Sequence, residues 1–343
     1  MDILFGTKNK YKATEMVSLL GKFPNLNIHY LADLNLNIKI EENQKTLKKN
    51  AEKKAIEISK LTDFYVLASD GGVDIPGLGK KWDILKNQRT VGENNTDLEK
   101  VDKLLEIMQG LKNESRKAVY YLSLALAKNG VLIWSTEQIY DEGFVAEKPP
   151  DRNIPKYLWL SHLWYYPHFK KVFNKLSKKE KEEVRKQGLG IKGSLQRKIR
   201  EIIVENELDL VLQKKGRSKD VPIAFIFKNN KLLIGLRNYT PNKWKNVSVW
   251  TVPGGRCDSN ETLETTIKRE VLEEVGIADI KITEYLGSVP GAKDGDVVFV
   301  FKAETTQEPK LMEPEKFSEW KWCKVSEIPS NFINQGALKL INV

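Results

Sequence analysis

Two α/β domains joined near residue 215 are the architecture this sequence predicts, on three observations. The chain has 343 residues, about twice the length of an ordinary domain. In both halves short strand-like runs lead into stretches whose apolar residues recur at helical spacing. A polar, Gly-containing run from Lys214 to Asp220 separates a helical pattern (Leu195, Ile199, Ile202, Ile203, Leu208, Leu212) from the strand-like Val221 to Phe227. The expected domains are 1–215 and 216–343.

Composition narrows the class. Hydrophobic residues are 41% and charged residues 30% of the chain, a globular balance with enough apolar matter for two cores. No apolar run is long enough to span a bilayer, and the start, Met1 to Gly6, lacks the basic and apolar regions of a secretory signal. Two cysteines, Cys257 and Cys323, can build neither a disulfide framework nor a four-cysteine zinc site. A reducing cytoplasm is the expected setting. The net charge of +10 is uneven, because 16 basic residues face 7 acidic ones from His168 to Lys219 while Val221 to Val343 balances at 16 each. Such a stretch attracts polyanions without saying which. The Lys/Glu run from Lys178 to Lys186 reads as a solvated helix face.

The first half opens with a strand, Ile3-Leu4-Phe5, a polar turn from Gly6 to Lys10, and a helix through Leu20. A small polar turn at a helix N-terminus suits phosphate, and Lys8, Lys10 and Lys12 add positive charge. Glu41-Glu42 precede a helix carrying Asn50-Ala51-x-x-Lys54-Ala55. A strand, Tyr65 to Ala68, is expected to end at Ser69-Asp70-Gly71-Gly72-Val73-Asp74, with Asp70 just beyond it, where α/β sheets place ligand chemistry. Glu42 and Asp70 together would make a Mg²⁺ site.

In the second half the richest pattern is Gly255-x5-Glu261-x7-Arg269-Glu270-Val271-x-Glu273-Glu274-x-Gly276-Ile277. Leu263, Ile267, Val271, Leu272 and Val275 recur at helical spacing, and Gly276 supplies the stop. Glu270, Glu273 and Glu274 then fall at i, i+3 and i+4 on one stripe. Hard oxygen ligands at that density suit Mg²⁺ or Mn²⁺, which bind phosphate oxygens in turn. Arg269, four residues ahead of Glu273, braces it. Gly254 and Gly255 let the backbone approach a ligand.

This stretch resembles the Nudix box, with every defining position present, and the resemblance extends over roughly Val221 to Val343. It implies an α/β/α sandwich that cleaves a nucleoside diphosphate linked to another group. It makes Glu273 and Glu274 the core metal ligands, with Glu261, Glu270 and the Gly255 carbonyl assisting and Arg269 orienting. Glu270 is the first choice for general base, with Glu315 as runner-up. Loops from Asn238 to Val249 and Gly287 to Asp296 are expected to set the substrate; Tyr239, Trp244 and Trp250 could stack on a base there, but core or rim is the more ordinary place for such aromatics.

Residues 1–205 resemble the inosine triphosphatase-like nucleotide pyrophosphatases, which implies an α/β domain with a central mixed sheet. Thr7-x-Asn9-x-x-Lys12-x-x-Glu15 looks like that family's phosphate-binding opening. Glu42 with Asn50 to Ala55 looks like its metal-binding segment, and Ala68 to Val73 falls at its Asp-Asp-Ser-Gly-Leu stretch. Arg116-x-Ala118 and Glu142-Gly143 also fit. The resemblance implies Mg²⁺-dependent release of pyrophosphate from non-standard purine triphosphates by a homodimer formed through this domain. Thr7, Asn9, Lys12, Lys54, Gly71 and Gly72 become substrate-binding residues, Glu42 and Asp70 metal ligands, and Asp70 catalytic as well. The sequence departs from the pattern in three places. Ser69 replaces the first aspartate, and Tyr166 replaces an aspartate expected before Pro167. A base-reading Ser-His-Arg triplet is missing, with Lys192 to Arg197 roughly in its place. The function expected is a bifunctional nucleotide-pool hydrolase; the alternative is a nucleotide-sensing or RNA-binding regulator whose basic segment grips polyanion.

Overall fold

The computed structural model describes residues 1–34, 38, 40–149, 159–238 and 248–341. The chain divides into two units, Met1–Ile199 and Arg200–Val343. In the first, the order is β1 (Asp2–Phe5), α1 (Lys10–Leu20), β2 (Asn27–Tyr30), α2 (Leu47–Ser59), β3 (Tyr65–Asp74), α3 (Asn87–Thr90), α4 (Asp97–Ile107), β4 (Lys117–Lys128), β5 (Val131–Val145), β6 (Trp164–Tyr166), β7 (Lys171–Val172) and α5 (Lys178–Val184). Helix α6 (Leu189–Leu212) contains the division between the units.

The seven strands form one mixed sheet in the order β2-β1-β3-β4-β5-β6-β7. β1 runs parallel to β2 and β3, and the remaining pairs are antiparallel. Ile3, Leu4 and Phe5 are fully buried, as are Val66, Leu67 and Ala68 of β3, which is why these short apolar runs were legible as strands. Helix α1 starts where expected because the Asn9 side chain accepts from the backbone N–H groups of Tyr11 and Lys12. Thr46 does the same for α2, accepting from Lys49 N.

One expectation about Asp70 needs correcting. β3 does not stop at Ala68 but runs to Asp74, paired with β4 throughout. Its parallel neighbour β1 ends at Phe5, opposite Leu67. Asp70 therefore lies inside a strand, yet past the end of the strand beside it. Beyond that point the Asn87 side chain takes the neighbour's place, accepting from Val73 N and donating to Val73 O. The site is still where parallel strands end, but the strand that ends is β1.

The second unit contains β8 (Asp220–Lys228), β9 (Lys231–Arg237), β10 (Val249–Thr251), α7 (Leu263–Val275), β11 (Lys281–Pro290), β12 (Val297–Glu304), β13 (Phe317–Cys323) and α8 (Gln335–Leu338). The sheet order is β10-β9-β8-β12-β11, with β13 also paired to β9, and β8 and β12 run parallel. Alternate residues feed two cores. Ala224, Ile226, Leu233, Phe299 and Phe301 pack with Leu263, Ile267, Val271 and Val275 of α7 on one face. Phe225, Leu232, Ile234, Val298 and Val300 pack with Phe332 and Ala337 on the other. This is the α/β/α sandwich. The four α7 side chains are fully buried, each stabilising the unit by about 1.5–3 kcal/mol. Among the described residues no helix is long and apolar enough to cross a membrane.

Candidate active sites

Helix α7 is built as its sequence predicts. Thr262 caps its start, accepting from Thr265 N, and Gly276 ends it in the left-handed conformation at φ 65°. With Val271 and Val275 fixed in the core, the adjoining stripe carries Glu270, Glu273 and Glu274. Arg269 ties the carboxylates together. Its Nε donates to Glu261 Oε1 at 2.8 Å and its Nη2 to Glu261 Oε2 at 3.0 Å, while Nη1 donates to Glu270 Oε1 at 2.8 Å and Glu273 Oε2 at 3.0 Å. The guanidinium thus braces Glu261 and Glu270 as well as the Glu273 that spacing suggested. Arg269 holds Glu261 at about 2, far below an ordinary glutamate.

The glycine turn packs directly on this stripe. Glu274 is buried, and its Oε2 accepts from Gly254 N at 3.1 Å. Burial pushes the Glu274 carboxyl up to about 8 against that hydrogen bond. A Cβ at Gly255 would run into Glu270 Oε1, so any side chain there would push the carboxylate or the turn aside. Burial raises Glu270 too, with Arg269 opposing. Glu273 stands half exposed. Oxygen donors of this kind fit a hard divalent cation, although among the described residues no three His, Cys, Asp or Glu side chains have closed into a cage.

Around this stripe the structure places several loop residues. Glu315 is exposed. Glu313 instead turns inward: Lys316 donates to its Oε1, its Oε2 is buried without a hydrogen-bond partner, and its charge adds to the rise of Glu274. No spacing rule marks Glu313, because the approach of its loop to α7 depends on Lys310 N donating to Val275 O. Trp250 is a core residue with Lys321 over its ring, not an open stacking face. Tyr239 and Trp244 lie outside the described residues. The loop ending at Asp296 is tied to the glycine turn by Arg256, whose Nη2 donates to Asp296 Oδ1 at 2.7 Å.

In the first unit a cleft of about 830 Å³ opens beside α1 and β3, and its walls include Asn9, Lys12, Glu42, Asp70, Gly71 and Gly72. Lys54 Nζ donates to Glu42 Oε1 at 2.9 Å and lies 3.5 Å from Asp70 Oδ1, with Lys12 Nζ at 3.9 Å from the same oxygen. Two ammonium groups and two carboxylates thus meet, as the sequence motifs require. Burial and repulsion from Lys54 lower the Lys12 pKa. Burial alone would raise Glu42, but Lys54 and Lys12 hold it below the usual range. Thr7 is used locally, its hydroxyl accepting from Asn9 N. Gly71 and Gly72 permit close packing: a Cβ at either would lie 2.5 Å from Tyr120 Oη or Ile84 O.

The other motifs sort into structural and cleft-lining residues. Arg116 is buried and donates to the carbonyls of Met108, Leu111, Val145 and Ala146, so it staples the fold. Residues 192–197 do not line the cleft; Gln196 donates to Leu19 O and Leu20 O, while Arg185 reaches the wall. Glu15, Tyr120, Tyr140 and Asp141 also line it. Of these, sequence singled out only Glu15, and it assigned Glu15 no separate role.

Fold and sites together define a two-unit hydrolase of nucleotide acid anhydrides. Residues 3–194 match the model of the Ham1 family and residues 217–342 the NUDIX domain. The chain belongs to the Ham1 family through its first unit and carries a NUDIX domain in its second. It is 30% identical over 192 residues to a dITP/XTP pyrophosphatase of Clostridium perfringens, covering 54% of this chain and 91% of that protein. It is 29% identical over 204 residues to one from Bacillus anthracis, covering 58% and 96%. Among solved structures, a HAM1 protein from Coxiella burnetii matches 59% of this chain and 99% of its own at 24% identity and TM-score 0.49. A MutT NUDIX hydrolase from Burkholderia pseudomallei matches 37% and 99% at 24% identity and TM-score 0.31.

Proposed function

We propose that the chain is a bifunctional, Mg²⁺-dependent nucleotide pyrophosphohydrolase that clears unwanted nucleotides in the cytoplasm, with an independent site in each unit and a functional boundary near residue 215. The observation that carries this reading is that both units gather carboxylates around cations at the positions their motifs specify. In the second unit Glu273 and Glu274 would hold the metal, with Glu261, Glu270 and the Gly255 carbonyl completing the set and Arg269 orienting it. A divalent ion there supplies neutralisation of the diphosphate and a more acidic water. The protein supplies the rest. Gly255 leaves room for Glu270 to accept a proton, and Arg269 keeps the stripe from splaying.

In the first unit Asn9, Lys12 and Lys54 would hold the triphosphate, assisted by Thr7 and by the close backbone at Gly71 and Gly72. Asp70 and Glu42 would hold the metal, Asp70 also directing the attacking water. Relatives named as dITP/XTP pyrophosphatases support release of pyrophosphate from a nucleoside triphosphate, and a homodimer through this unit is part of the same reading. The test is a Mg²⁺-dependent nucleotide screen on the full-length chain, with products identified by mass. The expected result is a nucleoside monophosphate plus pyrophosphate from at least one triphosphate. No hydrolysis of any nucleotide with either Mg²⁺ or Mn²⁺ would reject the reading.

A further inference from the structure

One hydroxyl on the wall of the first-unit cleft has no hydrogen-bond partner among the described residues: that of Tyr120, on β4. Opposite it β5 breaks register, since Tyr120 pairs with Asp141 and Tyr121 with Ile139, leaving Tyr140 as an extra residue. The Tyr140 ring packs edge-on against the Tyr120 ring, with centroids 5.7 Å apart, and helps hold it in place. Tyr140 spends its own hydroxyl on Glu15.

The position of the Tyr120 hydroxyl decides what it meets. A Cβ on Gly71 would lie 2.5 Å from Tyr120 Oη, so the hydroxyl reaches the backbone of the residue next to Asp70. The charges of Glu15 and Asp70 both act on it, which puts it between the two. On the other side of the cleft, Lys86, Arg89 and Lys100 also line the wall, and Arg89 acts on Glu42. A triphosphate tail is drawn toward those cations, so the nucleoside lies toward Tyr120 and Glu15. The group bonded to the α-phosphate of any nucleoside triphosphate is its sugar. With the phosphates at Lys12, Lys54 and Asp70, the sugar is therefore what passes over Tyr120. Burial, with Glu15 adding to it, holds the phenol well above its usual range, so the group stays an O–H. A sugar hydroxyl both donates and accepts, and it satisfies a phenol that would otherwise stay unpaired beneath the ligand.

We propose that Tyr120 is a specificity-determining residue that reads the sugar, its hydroxyl hydrogen-bonding to a ribose hydroxyl of the bound nucleotide. The proposal rests on the first unit being a nucleoside triphosphate pyrophosphatase.

The test uses the full-length chain carrying Glu273→Gln to silence the second unit. It reads pyrophosphate release from ITP and from ATP, each in its ribo, 2′-deoxy and 3′-deoxy forms. At least one deoxy form should have about fivefold lower kcat/KM than the ribo form, the worth of one net hydrogen bond, and the same form for both bases. Which form it is identifies the hydroxyl that is read. Tyr120→Phe removes the hydroxyl and keeps the ring. It should lower kcat/KM for the ribo form about fivefold, down to the level of that deoxy form, with circular dichroism confirming a retained fold. Pyrophosphate release that is indifferent to both sugar hydroxyls overturns the proposal, as does a Tyr120→Phe variant that lowers all three sugar forms alike or none of them. No pyrophosphate from any of these substrates overturns the pyrophosphatase reading and the proposal with it.

Discussion

Lys54 Nζ lies 3.5 Å from Asp70 Oδ1, and both side chains are nearly buried. The ammonium therefore keeps Asp70 from being an uncompensated interior charge while also donating to Glu42. Lys54→Gln should destabilise the metal-free first unit by about 3 kcal/mol, as expected when a buried pair loses one partner. Thermal melting in EDTA reads this directly. An unchanged melting temperature would mean that Asp70 is balanced by something else.

Gly255→Ala is the most local probe of the second site. The new Cβ would run into Glu270 Oε1, so either the turn or the carboxylate must move. Turnover by the second unit should drop at least tenfold with the fold intact by circular dichroism. Unchanged turnover would remove Glu270 from the site.

Arg269 donates to Glu261, Glu270 and Glu273 at once. Arg269→Lys keeps the charge but loses the planar fork, so it cannot hold all three. The expected loss is about 2 kcal/mol in stability of the second unit, with weaker Mn²⁺ binding by calorimetry. Wild-type affinity and melting would show the network to be incidental.

Burial raises Glu274 to about 8, above the ordinary glutamate value. A carboxyl with a raised folded pKa is favoured while protonated. Metal-free stability should therefore fall as pH rises from about 4.5 to 8, and Mn²⁺ affinity should rise over the upper part of that window as the proton leaves. Glu274→Gln should flatten both trends. Parallel pH profiles in variant and parent would assign the titration elsewhere.

The helix carrying the Nudix pattern was legible because its apolar stripe and its stop, Gly276, lie within one short segment. The lead-in turn was legible for the same reason. Asp70 was found, but its setting was misjudged, since whether a strand ends depends on which neighbour pairs with it. Glu313, Tyr140 and Asp141 carried no local sign. Glu313 is placed by a loop contact with α7, and the other two by a register break between strands. Lys192 to Arg197 stands roughly where the missing base-reading triplet would fall, and the turn of α6 sends Gln196 to cap α1.

The most direct measurement crosses Asp70→Asn with Glu273→Gln in the full-length chain and follows every hydrolytic product by mass. Two independent sites predict that Asp70→Asn removes pyrophosphate release from triphosphates alone, that Glu273→Gln removes only the second unit's product, and that the double variant is inert. Loss of all products from either single variant, or survival of all products in the double variant, would contradict it.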